Sequence, residues 1–327
     1  MLIKYWPKET KLKFMSLRMA GILFSVAMLT ASVFFLGTRG LNFGVDFAGG
    51  TAMELEATET VNEASVRAAI PFNADVNAAV GTDARKVIVV KFGEAPEALL
   101  GEEFQALTPE EKVERASGAT NEFVVRTLQE KLGIAEILKN DTVGPKVSQE
   151  LFRDGITALV VALVLMLAYI WYRFEWQFSI GAVAALAHDV IITLGVFAFL
   201  QLEFNLTTIA ALLTIIGYSM NDTVVVFDRV REEKRKYKKM PDRDVIDLAL
   251  NSTLSRTMLT SGTTLIALLA IFFLGGPVLR GMSFALIWGI VIGTYSSVFI
   301  ASAIVLSLGM DLTKKSVEDT PGFQGAP

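Results

Sequence analysis

Six long apolar stretches most constrain what this chain can fold into. They lie at residues 19–38, 155–173, 178–202, 206–227, 257–279 and 283–310. Each reaches about the 18–20 residues that a helix needs to cross the hydrocarbon core of a bilayer. Because lipid offers the backbone no hydrogen-bond partner, each stretch must satisfy its own amides and carbonyls. The sequence therefore predicts a polytopic α-helical membrane protein with six transmembrane helices.

Composition excludes several other classes of protein. The chain is 52% hydrophobic with a mean hydropathy of +0.48, which is too apolar for a soluble domain. It has no cysteine and one histidine, which excludes a thiol nucleophile and a multi-histidine metal site within the chain. No P-loop or dinucleotide-binding turn is present. We expect no cofactor, no metal and no enzymatic activity.

Lysine and arginine residues in the short connections predict the orientation in the membrane. They concentrate at residues 1–18 and 228–256, and two more lie in the tail at 311–327. With an even number of spans, these segments are predicted to be cytoplasmic, with an amphipathic helix or a solvated linker in 228–256. The first stretch is too long for a signal peptide and is predicted to be an uncleaved span. The protein would then lie in a bacterial inner membrane.

The polar stretch at residues 39–154 is long enough for a small domain, which this orientation places in the periplasm. Its strand-like runs alternate with helix-like windows, in the order 43–56, 61–71, 86–92, 110–133 and 134–143. This order predicts an α+β domain of ferredoxin-like type. Gly49 and Gly50 are predicted to form a bulge or a point of close packing in the first strand.

Asp222 lies inside the fourth apolar stretch, where a carboxylate costs a few kcal/mol and indicates a functional site by default. On a helical projection it shares a face with Thr208, Tyr218 and Ser219, and such a face requires another helix or a wet crevice. Asp222 could be a proton relay or a structural lock between helices. Both interpretations stay open.

Other polar groups could act with Asp222. Arg256 opens the fifth stretch, about 9 Å along the helix axis from the depth of Asp222, so we expect an Asp222–Arg256 pair. Alternatively, Arg256 is only a positive-inside anchor. His188 and Asp189 lie near the middle of the third stretch, where they could belong to a proton pathway or be structural. Asn221 joins this candidate set through its position beside Asp222.

Gly289 and Gly293 form a GxxxG pattern in the sixth stretch, which permits two helices to approach closely. The pattern predicts packing between helices. It does not indicate which function the packing serves.

Five motifs, in this order along the chain, carry a resemblance to a known family. They are 43–51 (FGVDFAGGT), 143–145 (VGP), 188–189 (HD), 217–229 (GYSMNDTVVVFDR) and 256–264 (RTMLTSGTT). With them the chain resembles the SecF members of the SecD/SecF family of protein-export membrane proteins, which are relatives of the RND exporters. Gly44, Asp46, Gly49 and Gly50 belong to the first motif, at the entry to the periplasmic domain.

The resemblance implies half of a pseudo-symmetric, RND-like bundle whose other half is SecD. It implies that the pair uses the proton-motive force to drive late preprotein translocation, with the SecYEG channel and auxiliary membrane subunits as further partners. Asp222 and Arg256 match the family's proton path, and Thr208, Tyr218, Ser219, Gly289 and Gly293 are interpreted as packing or SecD-facing positions. The ligands would be unfolded preprotein and lipid, not nucleic acid. The alternatives are a stand-alone RND-type proton-coupled exporter and a non-catalytic scaffold.

Overall fold

The computed structural model describes residues 10–57, 61–80, 86–133 and 137–310. The predicted tail at 311–327, the first half of the predicted N-terminal segment and the start of the predicted strand 134–143 lie outside the described residues. Helices and strands are numbered below in chain order.

Six long apolar helical segments form a bundle, and each could cross a membrane by length and composition. They are α1 (Arg18–Thr38), α6 (Pro145–Arg173), α7 (Trp176–Leu200), α8 (Leu206–Lys236), α9 (Asp242–Leu274) and a composite of α10 (Gly276–Ser296), a π-helical turn (Ser297–Ala301) and α11 (Ser302–Leu308). The six predicted transmembrane helices are thus confirmed as helices, although several are longer than predicted.

Two of these helices begin well before the apolar stretches that they contain. Helix α6 begins at Pro145 rather than residue 155, because Gly144 caps it and proline is pre-organised for the first helical position. The helix predicted within residues 228–256 is present, but it is the first part of α9 and not a separate amphipathic helix. Helix α8 continues to Lys236 and α9 already begins at Asp242. The apolar residues of that region, such as Val245 and Ile246, are buried in the bundle rather than laid on a membrane surface.

The polar insert forms a four-stranded sheet covered by helices, and we call residues 42–143 the insert domain. Its elements are β1 (Asn42–Phe43), α2 (Val45–Ala48), β2 (Gly50–Glu56), α3 (Glu63–Ala69), β3 (Ala74–Val80), β4 (Lys86–Phe92), α4 (Glu102–Gln105), α5 (Pro109–Leu132) and β5 (Ile137–Val143). The sheet order is β3-β4-β2-β5 with antiparallel neighbours. This β-α-β-β-α-β arrangement confirms the predicted ferredoxin-like α+β domain.

The insert domain differs from the prediction in two places. Strand β3 was not predicted, because its sequence is rich in alanine and polar residues and forms a strand only along the ladder offered by β4. The predicted strand at 43–56 begins only at Gly50, because residues 45–48 form the short helix α2. Between sheet and helices the core contains Met53, Leu55 and Val124, all at 0% exposure.

A small second ladder joins the insert domain to the bundle. Strand β1 pairs in parallel with β6 (Glu203–Phe204), which lies between α7 and α8. Phe43 and Phe47 pack edge-on against Phe152 of α6, and Lys91 of β4 forms an ion pair with Glu203. We call this side of the bundle the insert end and the other side the opposite end.

Candidate functional site

A hydrogen-bonded polar cluster surrounds Asp189 inside the bundle. The Asp189 side chain is completely buried. Ser219 and Ser296 donate to its Oδ2 atom at 2.6 and 2.8 Å, and His188 Nδ1 lies 2.9 Å from its Oδ1 atom. The cluster therefore links α7, α8 and α10 through a carboxylate whose two oxygens are both satisfied.

Hydrogen bonds from His188 extend this cluster to α1. His188 Nε2 lies 3.0 Å from Ser25 Oγ, which lies 3.0 Å from Tyr295 Oη. Tyr295 donates its hydroxyl proton to the Gly21 carbonyl at 2.6 Å. Because Tyr295 donates its only hydroxyl proton to Gly21, Ser25 must donate its own proton to Tyr295. Ser25 then has no proton left for His188, so His188 Nε2 must donate to Ser25. His188 and Asp189 then share one further proton, so that the buried pair carries no net charge.

Asp222 lies one helical turn from Ser219 and has a different environment. It is 7% exposed, and its Oδ1 atom accepts a hydrogen bond from Thr257 at 2.7 Å. Its Oδ2 atom is buried and has no hydrogen-bond partner among the described residues. The nearby Ser297 hydroxyl instead donates to the Gly293 carbonyl. Because an unpaired buried oxygen is costly, this position favours binding a proton or a group from outside the chain.

The predicted Asp222–Arg256 ion pair does not form within the described part of the chain, so that prediction is wrong for this subunit alone. Arg256 is exposed, whereas its neighbour Thr257 is buried against Asp222. Successive helical residues point about 100° apart, so only one of the two can face α8.

Asn221 and Arg256 immediately precede the contacting residues Asp222 and Thr257, and both are exposed. Because α8 and α9 run antiparallel, the side chains of Asn221 and Arg256 lie on the same side of the helix pair. Further exposed residues continue each row at helical spacing. We call the whole surface the seam, and it consists of Ala210, Thr214, Gly217 and Asn221 on α8 with Arg256, Thr260 and Thr263 on α9. Such a small and polar surface is typical of a helix-packing interface in a membrane.

Five positions were predicted from the sequence to pack between helices or to face SecD. Most of them contact other parts of this chain; they are Thr208, Tyr218, Ser219, Gly289 and Gly293. Thr208 belongs to the capping box that Asn205 forms at the start of α8. The half-buried Tyr218 donates to Ser261 of α9 at 3.3 Å. A side chain at Gly289 would clash with Ile215, and a Cβ atom at Gly293 would lie 3.1 Å from Ser219 Cβ. The two glycines therefore permit the close crossing of α8 and α10.

The glycine-rich entry motif connects the insert domain to α8. Asp46 Oδ2 accepts a hydrogen bond from the Leu206 amide at 3.0 Å and so caps the first turn of α8 from outside that helix. The Gly44 amide donates to the Phe204 carbonyl at 3.0 Å. Gly49 and Gly50 have φ values of 73° and 110°, which favour glycine. The motif thus forms the mechanical contact between the insert domain and the helix that carries Asp222.

Sequence reasoning did not single out three hydroxyl groups of the site, which are Thr257 beside Asp222, Ser296 beside Asp189 and Ser25 beside His188. They lie in long apolar segments, where hydroxyl groups commonly bond across helices. That signal could have selected them but could not have paired them. No cluster of three or more metal-ligating side chains occurs in residues 10–57, 61–80, 86–133 and 137–310.

Comparison with known proteins adds independent support. The family of SecD/SecF protein export membrane proteins matches at its C-terminal region over residues 124–311, and the SecD/SecF GG motif matches over residues 34–61. The second match covers the entry motif. A protein translocase subunit SecF from Cereibacter sphaeroides is 44% identical, with 99% of this chain and 98% of that protein aligned. One from Rhodobacter capsulatus is 42% identical, with 98% and 96% aligned.

Solved structures agree with this relationship. The crystal structure of SecDF, a translocon-associated membrane protein from Thermus thermophilus, matches with a TM-score of 0.76 and 33% identity over 93% of this chain. A SecDF structure in a super-membrane-facing form matches over the same share with a TM-score of 0.63 and 34% identity. In both cases this chain spans 39% of the length of the SecDF chain. The protein thus belongs to the SecD/SecF family of protein export membrane proteins, as one of its SecF subunits.

Proposed function

We propose that this SecF subunit works with SecD to use the proton-motive force for late preprotein translocation across the bacterial inner membrane. The identity with SecF subunits along nearly the whole chain supports the translocation role. The basic residues at the opposite end support a cytoplasmic location for that end, and hence a periplasmic insert domain. SecYEG and unfolded preprotein are the further partners in this proposal.

Asp222 is the proton-carrying group in this proposal. The observation that carries it is the contrast between two buried carboxyls. Asp189 has partners on both oxygens, whereas Asp222 Oδ2 has none among the described residues. A proton can therefore bind to Asp222 and leave again without breaking an existing hydrogen bond. Buried acids within a membrane span are typical of proton relays.

SecD completes the site by packing on the seam. A twelve-span unit needs a second half, and Asn221 and Arg256 are polar groups on the exposed side of α8 and α9. A carboxylate or hydroxyl from SecD would pair with Arg256, which has no ion-pair partner among the described residues of this chain. Arg256 and Asn221 would then act beside Asp222 across the interface. His188 and Asp189 serve as the internal lock.

Helix α8 transmits the protonation state of Asp222 to the insert domain. Asp222 lies on α8, and the first turn of α8 is capped by Asp46 of the entry motif. A shift of α8 would act directly on Asp46 and on the β1–β6 ladder. The insert domain would move with it and assist the emerging preprotein.

Gradient-driven transport in membrane vesicles tests this proposal. Asp222→Asn keeps the size of the side chain and a hydrogen-bond acceptor for Thr257 but cannot exchange a proton. We expect normal assembly with SecD and loss of the stimulation of preprotein transport by the proton gradient. Asp154→Asn is the matched control, because Asp154 is an exposed aspartate whose ion pair with Arg153 is local. Unchanged gradient dependence in Asp222→Asn would refute the proton role.

Assembly of Asp222→Asn with SecD and purification from native membranes separate the two alternatives. Loss of the SecD complex in Asp222→Asn would favour a non-catalytic scaffold with Asp222 as a lock. Purification of this chain from native membranes without SecD, as a homodimer, would favour a stand-alone RND-type exporter. Recovery with SecD supports the translocation proposal.

A further inference from the structure

A narrow cavity lies between Asp222 and the opposite end of the bundle. Its volume is about 20 Å³, which is room for about one water molecule. Thr257, the hydrogen-bond partner of Asp222, lies in its wall. Most of the remaining lining is apolar and comes from Phe14, Val226, Leu250, Leu254, Met258 and Val298. Thr253 and Thr294 add two hydroxyl groups to the lining, so the cavity can hold about one water but no continuous chain of waters unless it widens.

Phe14 is the one part of this lining that does not belong to a long helix. It lies in the N-terminal segment, which we define as residues 10–17, before α1 begins. Phe14 is half-buried, so one side faces the cavity and the other lies near the protein surface. Its neighbour Met15 is 1% exposed and anchors the segment in the bundle core.

A small set of hydrogen bonds to α9 holds the N-terminal segment in place. Asn251 Oδ1 accepts from the Leu12 amide at 2.9 Å, and Asn251 Nδ2 donates to the Leu12 carbonyl at 2.8 Å. Asp247 Oδ1 accepts from the Met15 amide at 2.8 Å. Because the two Asn251 bonds are exposed, Leu12 can separate from α9 at a lower cost than a transmembrane helix can move, and Phe14 can then turn about the anchored Met15.

The opposite wall of the cavity also has an irregular backbone. Val298 lies in the π-helical turn Ser297–Ala301, and Ser297 hydrogen-bonds Thr223, the residue after Asp222, at 2.8 Å. Single π-helical turns within α-helices are frequent at functional sites. The cavity is thus bounded by Phe14 of the short N-terminal segment on one side and by a distorted helix next to Asp222 on the other.

We propose that Phe14, positioned by the N-terminal segment, is a hydrophobic gate that controls the access of water and protons to Asp222 from the opposite end. This inference rests on the proposed function of Asp222 as the proton carrier. In the closed state, the apolar lining keeps the opposite end dry. Displacement of Phe14 opens a path that ends at Thr257 and Asp222.

The absence of cysteine from this chain permits a direct test. Val226→Cys places a single thiol in the cavity wall, one turn from Asp222. The complex with SecD is placed in lipid nanodiscs, where both ends are accessible, and is treated with a small charged methanethiosulfonate. Modification of this chain is followed by intact mass. Since the reagent reacts through water, the rate measures whether the passage is wetted.

We expect slow modification of Val226→Cys alone and a rise of about tenfold or more when Phe14→Ala is added, because removal of the ring makes room for several waters. Phe14→Leu should stay slow, because it keeps apolar bulk. Phe273→Ala is the matched control, since Phe273 is 69% exposed and lies at the insert end of α9. Asn251→Ala should also raise the rate, because it removes the bonds to Leu12 without changing the cavity wall.

Fast modification in the Val226→Cys protein alone, or equal rates with and without Phe14→Ala, would overturn the gate. If Phe14→Ala fails to assemble, Asn251→Ala decides the question by the same rate. Labelling does not depend on proton transport, so failure of the gate is distinguishable from failure of the proposed function. Gradient dependence retained in Asp222→Asn would remove the proton role even if the labelling rates behave as expected.

Discussion

Replacement of Asp189 by asparagine or alanine distinguishes a structural lock from a second proton carrier. Asp189→Ala removes the hydrogen bonds from Ser219, Ser296 and His188 and leaves those three groups buried. At about 1–1.5 kcal/mol for each hydrogen bond, the loss amounts to about 3–5 kcal/mol. Removal of one partner from a buried charged network has a similar magnitude, about 3–5 kcal/mol.

Asp189→Asn should cost about 1 kcal/mol or less, because every hydrogen bond can be kept. The asparagine oxygen would replace Oδ2 and accept from Ser219 and Ser296. Its amide nitrogen would replace Oδ1 and donate to His188 Nδ1. His188 Nδ1 would then accept while Nε2 donates to Ser25, as the contacts of Ser25 and Tyr295 require.

Thermal unfolding of the detergent-solubilised SecD complex measures these differences, and vesicle transport measures the gradient dependence. We expect a large drop in melting temperature for Asp189→Ala, a small one for Asp189→Asn, and gradient-driven transport in Asp189→Asn. Equal destabilisation by the two substitutions would refute the hydrogen-bond assignment. A stable Asp189→Asn complex that has lost its gradient dependence would show that Asp189 also carries protons.

Two further predictions concern the insert domain. Gly50→Ala should lower the melting temperature of the full chain and expose the insert domain to limited proteolysis. The φ angle of Gly50 is 110°, and a Cβ atom there would collide with the Phe92 carbonyl, which gives a strain of about 1–3 kcal/mol. Gly93→Ala is the neighbouring control with free space around its Cβ position, and equal effects of the two would contradict this account. The Thr108 amide and hydroxyl bonded to Glu111 hold the pKa of that carboxyl below its ordinary value of 4.5. The capping box therefore stabilises α5 fully above pH 4.5, and this stabilisation is lost as the pH falls through the lower pKa of the folded state. Glu111→Gln should make the protection of α5 from proteolysis less sensitive to acid. An unchanged pH profile of that protection would contradict the assignment.

The membrane helices were predictable because apolar length alone requires them, whereas several of their ends were not. Residues 228–236 contain no helix breaker, so α8 continues beyond the apolar stretch that revealed it. Pro145 after Gly144 was a readable start signal for α6. Strand β3 was not readable, because an edge strand with few β-branched residues depends on its neighbour for its structure.

The sequence by itself determined that the chain spans a membrane six times, that it carries an α+β insert and that Asp222 is a costly group in lipid. Each of these follows from local composition and period, which act along the chain. Only the tertiary structure decided that Thr257 rather than Arg256 bonds Asp222, that Asp189 is satisfied on both oxygens and that Asn221 and Arg256 share an exposed seam. Those outcomes depend on the rotation of each helix about its axis. That rotation is set by packing among all six helices, so no single segment encodes it.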